Sequence, residues 1–145
     1  IRLSETDEVI GMLIAKREGT VLVTSENGYG KRSLLDAYRI QSRGGKGVYT
    51  MKKTTKTGQL VTILETTDDD DLMIITNAGV MIRQKVDLIR VIGRNTQGVK
   101  LIRLDDGSKI SSVTKVINDA DETDEPEDTN NNTQTNEEGP ETNIE

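Results

Sequence analysis

The sequence predicts an all-β protein of propeller-like blades of antiparallel strands, forming a partial ring and followed by a disordered acidic C-terminal tail. Three observations predict it. Short runs of β-branched and apolar residues alternate with turns centred on Gly and Asn. The chain repeats itself at an offset of 51 residues, pairing Gly28 with Gly79, Arg32 with Arg83, Asp36 with Asp87, Arg39 with Arg90, Arg43 with Arg94, Gly47 with Gly98 and Val48 with Val99. Beyond residue 117 the chain is almost entirely Asp, Glu, Thr and Asn.

The seven identities fall in an ungapped window of 21 residues, where residue frequencies would supply about one or two. Ile1-Arg2-Leu3 also returns as Ile102-Arg103-Leu104, so the chain holds the end of one repeat and two full ones. Strand-rich repeats of this length point to blades that bury their faces on their neighbours. Two and a half blades do not close a ring, so the parent domain is expected to hold more. The chain opens on Ile1 in mid-pattern, which also reads as a fragment.

In order, Ser4 to Glu8 is a polar turn and Val9 to Ile14 an apolar run of strand length. Thr20 to Ser25 alternates as a strand should. Asn27-Gly28 is a strong hairpin signal, because a type I′ turn needs positive φ at both central residues, and Tyr29 to Arg32 is the returning strand. Ser33 to Ile40 is either one helical turn or an irregular strand. Val48 to Lys53 and Leu60 to Leu64 read as strands. Asp68 to Asp71 lacks the alternating acids and closing glutamate of a calcium loop and reads as a solvated acidic turn. Leu72 to Thr76, Val80 to Arg83, Val99 to Leu104 and Lys109 to Val116 read as strands. From Asn118 the chain has too little apolar surface to offset its ordering entropy and is expected to be disordered.

The charge is segregated. Residues 1–117 carry 19 cations and 14 anions, whereas 118–145 carry 11 anions and no cation. From Asn27 to Lys56 eight cations face one anion, Asp36. At the centre of that segment lies Gln41-Ser42-Arg43-Gly44-Gly45-Lys46-Gly47. Glycine lets the backbone take positive φ and approach a ligand closely, and the Arg fork and Lys point charge suit phosphate oxygens. A solvated turn that is basic by accident is the plainer reading. The repeat weighs against it, since Arg32/Arg83, Arg39/Arg90 and Arg43/Arg94 set cations at equivalent places on successive blades. Facing outward, they give a basic rim suited to a duplex; alternatively they pair with Asp36 and Asp87 and fix blade geometry. Tyr29, Tyr38 and Tyr49 are the only aromatics, too few for base stacking along a single strand.

The chain has no cysteine and no histidine, so it has no disulfide, no Cys-based zinc site and no histidine general base. A reducing intracellular compartment fits. No apolar run approaches the roughly 20 residues that span a bilayer.

Asn27-Gly28-Tyr29-Gly30-Lys31-Arg32, Gln41 to Val48, and Ile92-Gly93-Arg94-Asn95-Thr96-Gln97-Gly98-Val99 together resemble the C-terminal domain of DNA gyrase A. The resemblance covers residues 1–117 in order and extends to an acidic tail. It implies a β-pinwheel of six blades that wraps duplex DNA around a basic outer edge, within a type II topoisomerase that introduces negative supercoils using ATP. By motif order, residues 1–19 end a preceding blade, 20–70 form the penultimate blade, 71–117 the final blade and 118–145 the acidic tail. The family's signature box, Gln-Arg-Arg-Gly-Gly-Lys-Gly, is matched by Gln41 to Gly47 at six of seven positions, with Ser42 in place of an arginine. This is a degenerate copy in a later blade, and the true box is expected upstream.

The resemblance further implies that ATP and Mg2+ belong to other parts of the holoenzyme and that this stretch carries no catalytic residue, cofactor or metal. The implied partners are double-stranded DNA, DNA gyrase B and a second copy of gyrase A in an A2B2 heterotetramer, in the bacterial cytoplasm on the chromosome and away from any membrane. The expected DNA-binding residues are Lys31, Arg32, Arg39, Gln41, Arg43, Gly44, Gly45, Lys46, Gly47, Arg83, Arg90 and Arg94. The acidic tail is expected to compete for the same rim. The matching domain of topoisomerase IV, with the same fold, and a protein-interaction propeller are the alternatives.

Overall fold

A computed structural model describes residues 1–16 and 18–116; the acidic tail lies outside them. Seven strands, β1 Thr20–Ser25, β2 Tyr29–Leu34, β3 Leu60–Thr66, β4 Asp71–Thr76, β5 Met81–Lys85, β6 Val99–Lys100 and β7 Ile110–Val116, form two antiparallel sheets. Their orders are β3-β1-β2-β6 and β5-β4-β7.

The repeat is carried by the backbone as well as by residue identity. β1 pairs with β2 and β3 as β4 pairs with β5 and β7. Even the ladder irregularity recurs, between Thr24 and Ser25 in one sheet and between Ile75 and Thr76 in the other. The first sheet has one strand more because β6, which follows the second hairpin in sequence, crosses back and pairs with Tyr29 and Gly30 of β2. Two glycines admit it. A Cβ on Gly98, whose φ is +79°, would meet the Gly30 carbonyl oxygen at 2.6 Å, and one on Gly28, φ +84°, would meet the Ile102 carbonyl at the same distance.

Alternation along β1 divides the interior. Leu22 enters the larger core with Leu72, Ile74, Val86, Ile89, Ile102, Ile110 and Val113, residues drawn from both sheets. Val21 and Val23 point the other way, onto Met51 and partly buried Leu13, Tyr38 and Ile63. The first sheet is therefore apolar on both faces. Beyond β1, Glu26 ties the sheets together: its carbonyl accepts the Ile110 amide at 2.7 Å. Its carboxylate accepts the Gln59 amide at 3.0 Å and pairs with Lys109 at 2.8 Å.

Several expectations are corrected. Val48 to Lys53 is not a strand, although its repeat equivalent contributes β6. Residues 99–100 are a strand only because β2 lies beside them, and 48–49 have no such neighbour among the described residues. Past Lys100 the expected strand stops, and the Leu101 and Ile102 amides turn to the Gly28 carbonyl instead. Ser33 to Ile40 resolves as the end of β2 and a 3-10 turn at Leu35–Ala37. Val9 to Ile14 joins no ladder and leaves Val9, Met12 and Ile14 exposed. The acidic turn is only partly solvated: Asp70 and Asp71 are buried. Asp70 accepts the Thr67 amide at 2.8 Å, which closes the turn, and lies 3.4 Å from the Lys115 ammonium.

Leu22→Ala is expected to cost about 2–5 kcal/mol and to lower the urea midpoint of both sheets together, as read by probes placed in each. Glu26 titrates below the ordinary carboxylate value because of its bonds to Lys109 and the Gln59 amide. Its contribution is present above the unfolded value and is lost as pH falls through the lowered folded one. Glu26→Gln should therefore destabilise the protein near neutral pH and shrink its loss of stability on acidification, measured by urea unfolding across the acid range.

Candidate nucleic-acid interface

The expected DNA-binding residues divide into two sets. Gln41, Ser42, Arg43, Gly44 and Lys46 are exposed, as are Arg39 just before them and Arg90 in the second repeat. Gly44 and Gly47 have φ of +75° and +83°, a backbone that favours glycine and that folds this stretch into an outward loop. A Cβ on Gly44 would meet nothing within 4 Å, so the tip is open. Gly45 and Gly47 are flanking positions of that tip, and Gly47 is half-buried. The Gly45 carbonyl accepts the Arg2 amide at 2.9 Å, tethering the inner side of the loop to the N-terminal segment. Among the described residues Arg39, Arg43, Lys46 and Arg90 enter no ion pair.

The second set is turned inward. Lys31 is fully buried on β2. Its ammonium donates to the Gly93 carbonyl at 2.7 Å, to the Arg94 carbonyl, and to the Thr96 hydroxyl at 3.4 Å. Arg32 is 4% exposed; its Nε donates to the Ile89 carbonyl at 2.8 Å and its Nη1 pairs with Asp68. Both side chains are buried and engaged within the protein, unlike the solvent-facing set. Strand alternation does not separate them, because β2 is covered on one side by the shared core and along its edge by the 89–96 segment of the next repeat.

Arg83 belongs to neither set: it is exposed, but it is held by buried Asp71, whose Oδ2 accepts from its Nε at 2.6 Å. Met73 is the residue directly opposite Arg83 in the ladder, so the pair is diagonal. The Arg94 guanidinium donates to the Ala37 carbonyl at 3.1 Å and to the Tyr49 carbonyl. The alternative pairing of the arginines with Asp36 and Asp87 is not what forms. The carboxylates engaged are Asp68 and Asp71, from the acidic turn. The Arg83–Asp71 contact follows once hairpin register is known; the Arg32–Asp68 contact has no local signal. Ser33, which donates to the Ile92 carbonyl at 3.0 Å, and Thr96 carry no local signal either.

Among the described residues no three acidic side chains converge as a metal ion requires, and no helix is long and apolar enough to cross a membrane. An exposed basic loop of glycine-shaped backbone, carried on repeated sheets of which one receives a strand from beyond the other, defines a propeller-type repeat protein with a basic loop at its edge.

The model of the DNA gyrase C-terminal domain, a beta-propeller, matches residues 19–67 and again 70–117, and the chain belongs to this family. It is 50% identical over 129 residues to the DNA gyrase A of Staphylococcus aureus strain MRSA252, and 50% identical over 130 residues to that of strain NCTC 8325. The alignments cover 88% of this chain but 15% of those relatives. A solved DNA gyrase A C-terminal domain superposes with a TM-score of 0.66 at 28% identity, over 70% of this chain and 35% of that one. The C-terminal domain of DNA topoisomerase IV superposes at 0.72 and 21% identity, over 80% and 36%, a likeness of fold alone.

Burial, and then the nearby Arg94 charge, bring the Lys31 ammonium down from its ordinary 10.5 to about 8. Between those values the unfolded chain holds a proton that the native one has released, so this group makes stability rise with pH there. Below about 8 both states are charged and the burial cost is present in full. Comparing urea unfolding of wild type and Lys31→Met from neutral to alkaline pH should show that upward component in the wild type alone.

Proposed function

We propose that this chain is part of the DNA-wrapping region of a DNA gyrase A, and that it binds the phosphate backbone of duplex DNA without reading sequence. The observation that carries the proposal is the exposed loop Gln41 to Gly47, whose Arg43 and Lys46 form no ion pair among the described residues, in a chain of the gyrase C-terminal domain family. Arg43, Lys46, Arg39 and Arg90 supply solvated cations; Gln41 and the Gly44-Gly45 backbone supply neutral donors that settle against phosphate oxygens. The segments 20–70 and 71–117 act as successive blades, and 1–19 closes a preceding one.

The wider activity follows as part of the same reading. The whole protein is a type II topoisomerase that uses ATP and Mg2+ held elsewhere and assembles as A2B2 with gyrase B in the bacterial cytoplasm. Wrapping the duplex around the blades would bias strand passage towards negative supercoiling. The acidic stretch 118–145 supplies a competing polyanion for the same cations.

Duplex affinity, measured by fluorescence anisotropy across a salt series, should fall steeply with salt. Each phosphate contact contributes about 0.9 to the log–log slope. Arg43→Ala with Lys46→Ala should weaken binding and flatten the slope by roughly 1–2. A slope unchanged in a folded double variant would remove the loop from the interface.

A further inference from the structure

Arg94 corresponds in the repeat to Arg43, yet the two are used differently. Arg43 is exposed, whereas the Arg94 guanidinium reaches back to the first repeat and holds the carbonyls of Ala37 and Tyr49. Those two residues bracket the stretch that carries Arg39, Arg43 and Lys46. Neither end belongs to a strand, since β2 stops at Leu34 and β3 starts at Leu60. Between those strands the loop is long, and Arg94 joins its two ends beside the hydroxyl contact of Tyr38 with Thr50.

Arg94 is itself held from beneath. It lies in a tight turn closed by the Thr96 hydroxyl donating to the Gly93 carbonyl at 3.0 Å. Lys31 caps that turn: its three N–H donors meet three neutral oxygens, on Gly93, Arg94 and Thr96. An ammonium has three donors and no acceptor, so this set uses all of it. Arg32 and Ser33 extend the same seam. The Arg32 amide donates to the Arg90 carbonyl at 3.3 Å, the Ile92 amide donates to the Arg32 carbonyl at 2.9 Å, and the Ser33 hydroxyl bonds the Ile92 carbonyl. The Lys31 position is not a generic feature of the repeat, because its equivalent is Ile82.

We propose that Arg94 is a positioning residue for the Gln41–Gly47 loop, clamping its two ends, and that Lys31 holds Arg94 in place from the neighbouring strand. This deepens the DNA-binding reading and rests on it. The cations of the loop touch the duplex; Arg94 and Lys31 reduce the freedom that the loop loses on binding. Pre-organisation of this kind changes affinity without adding a contact.

The distinction is measurable with the full 145-residue chain. In Arg94→Met and Lys31→Met, duplex affinity at fixed salt should fall roughly five- to tenfold, while the salt slope keeps its wild-type value. Because the two act in series, the double variant should lose little more than either single one. Thr96→Val, a milder change to the same turn, replaces Lys31→Met should that variant not fold, and should act in the same direction.

A slope reduced by about 0.9 in folded Arg94→Met would make Arg94 a phosphate contact and overturn the proposal. Unchanged affinity in folded variants would overturn it as well. Amide hydrogen exchange over residues 41–47 in the free protein tests the clamp apart from DNA. Faster exchange in Arg94→Met supports it, and unchanged exchange overturns it. If the folded wild type shows no salt-dependent duplex binding, the DNA reading fails, and the exchange result alone decides whether the loop is clamped.

Discussion

Neither sheet of this protein can bury its apolar surface alone. Leu22, Leu72, Ile74, Val86 and Val113 meet in one cluster between the sheets, and none has a second place to go. Three strands with a covered apolar face are about the least that stands alone in water, and here the face of each sheet is covered by the neighbouring repeat. The remaining contacts between the repeats, Glu26 to Lys109 and Ile110, and β2 to the 89–96 segment, then set the angle at which the sheets meet.

The same constraint sorts the cations. A side chain on the seam must satisfy the carbonyls of the incoming segment, and Lys31 and Arg32 do so from fully or nearly buried positions. On the connection between β2 and β3 the incoming segment meets the ends, through the Ala37 and Tyr49 carbonyls, while Arg39, Arg43 and Lys46 between them remain in water. Basic residues a few positions apart in one charged stretch thus divide between holding the fold and facing solvent. The acids cross the same boundary: buried Asp71 meets the exposed Arg83, while exposed Asp68 reaches the buried Arg32.

What can be read from the sequence is what is local or periodic. Thr20 to Ser25 stands as a strand and the hairpin falls where Asn27-Gly28 signals it, but the connection is the three residues Glu26 to Gly28, closed by the Gly28 amide on the Ser25 carbonyl, and not a two-residue type I′ turn. The offset between the repeats extends to their hydrogen-bond ladders. Val48 to Lys53 has the residues of a strand without being one, because a strand is a relation between two segments. Its own residues carry no information about whether a second is present. The twelve candidate contacts share composition but not environment. Lys31 lies on β2 beneath a segment of the next repeat and Lys46 on an open loop, and no short window contains that segment. The turn at Asp68 to Asp71 is less solvated than its composition implies for the same reason, since Arg32 and Lys115 lie far away in sequence.

The loan of β6 to the preceding sheet has a consequence for how such chains grow over generations. The unit of sequence and the unit of folding are out of phase, because a segment spanning one period encodes most of one sheet and the closing strand of another. A tandem duplication of one period nevertheless leaves every lender beside a borrower, wherever its breakpoints fall. Unequal recombination can therefore lengthen or shorten the array without leaving a ladder unfinished in the middle, and selection on blade number acts on whole periods.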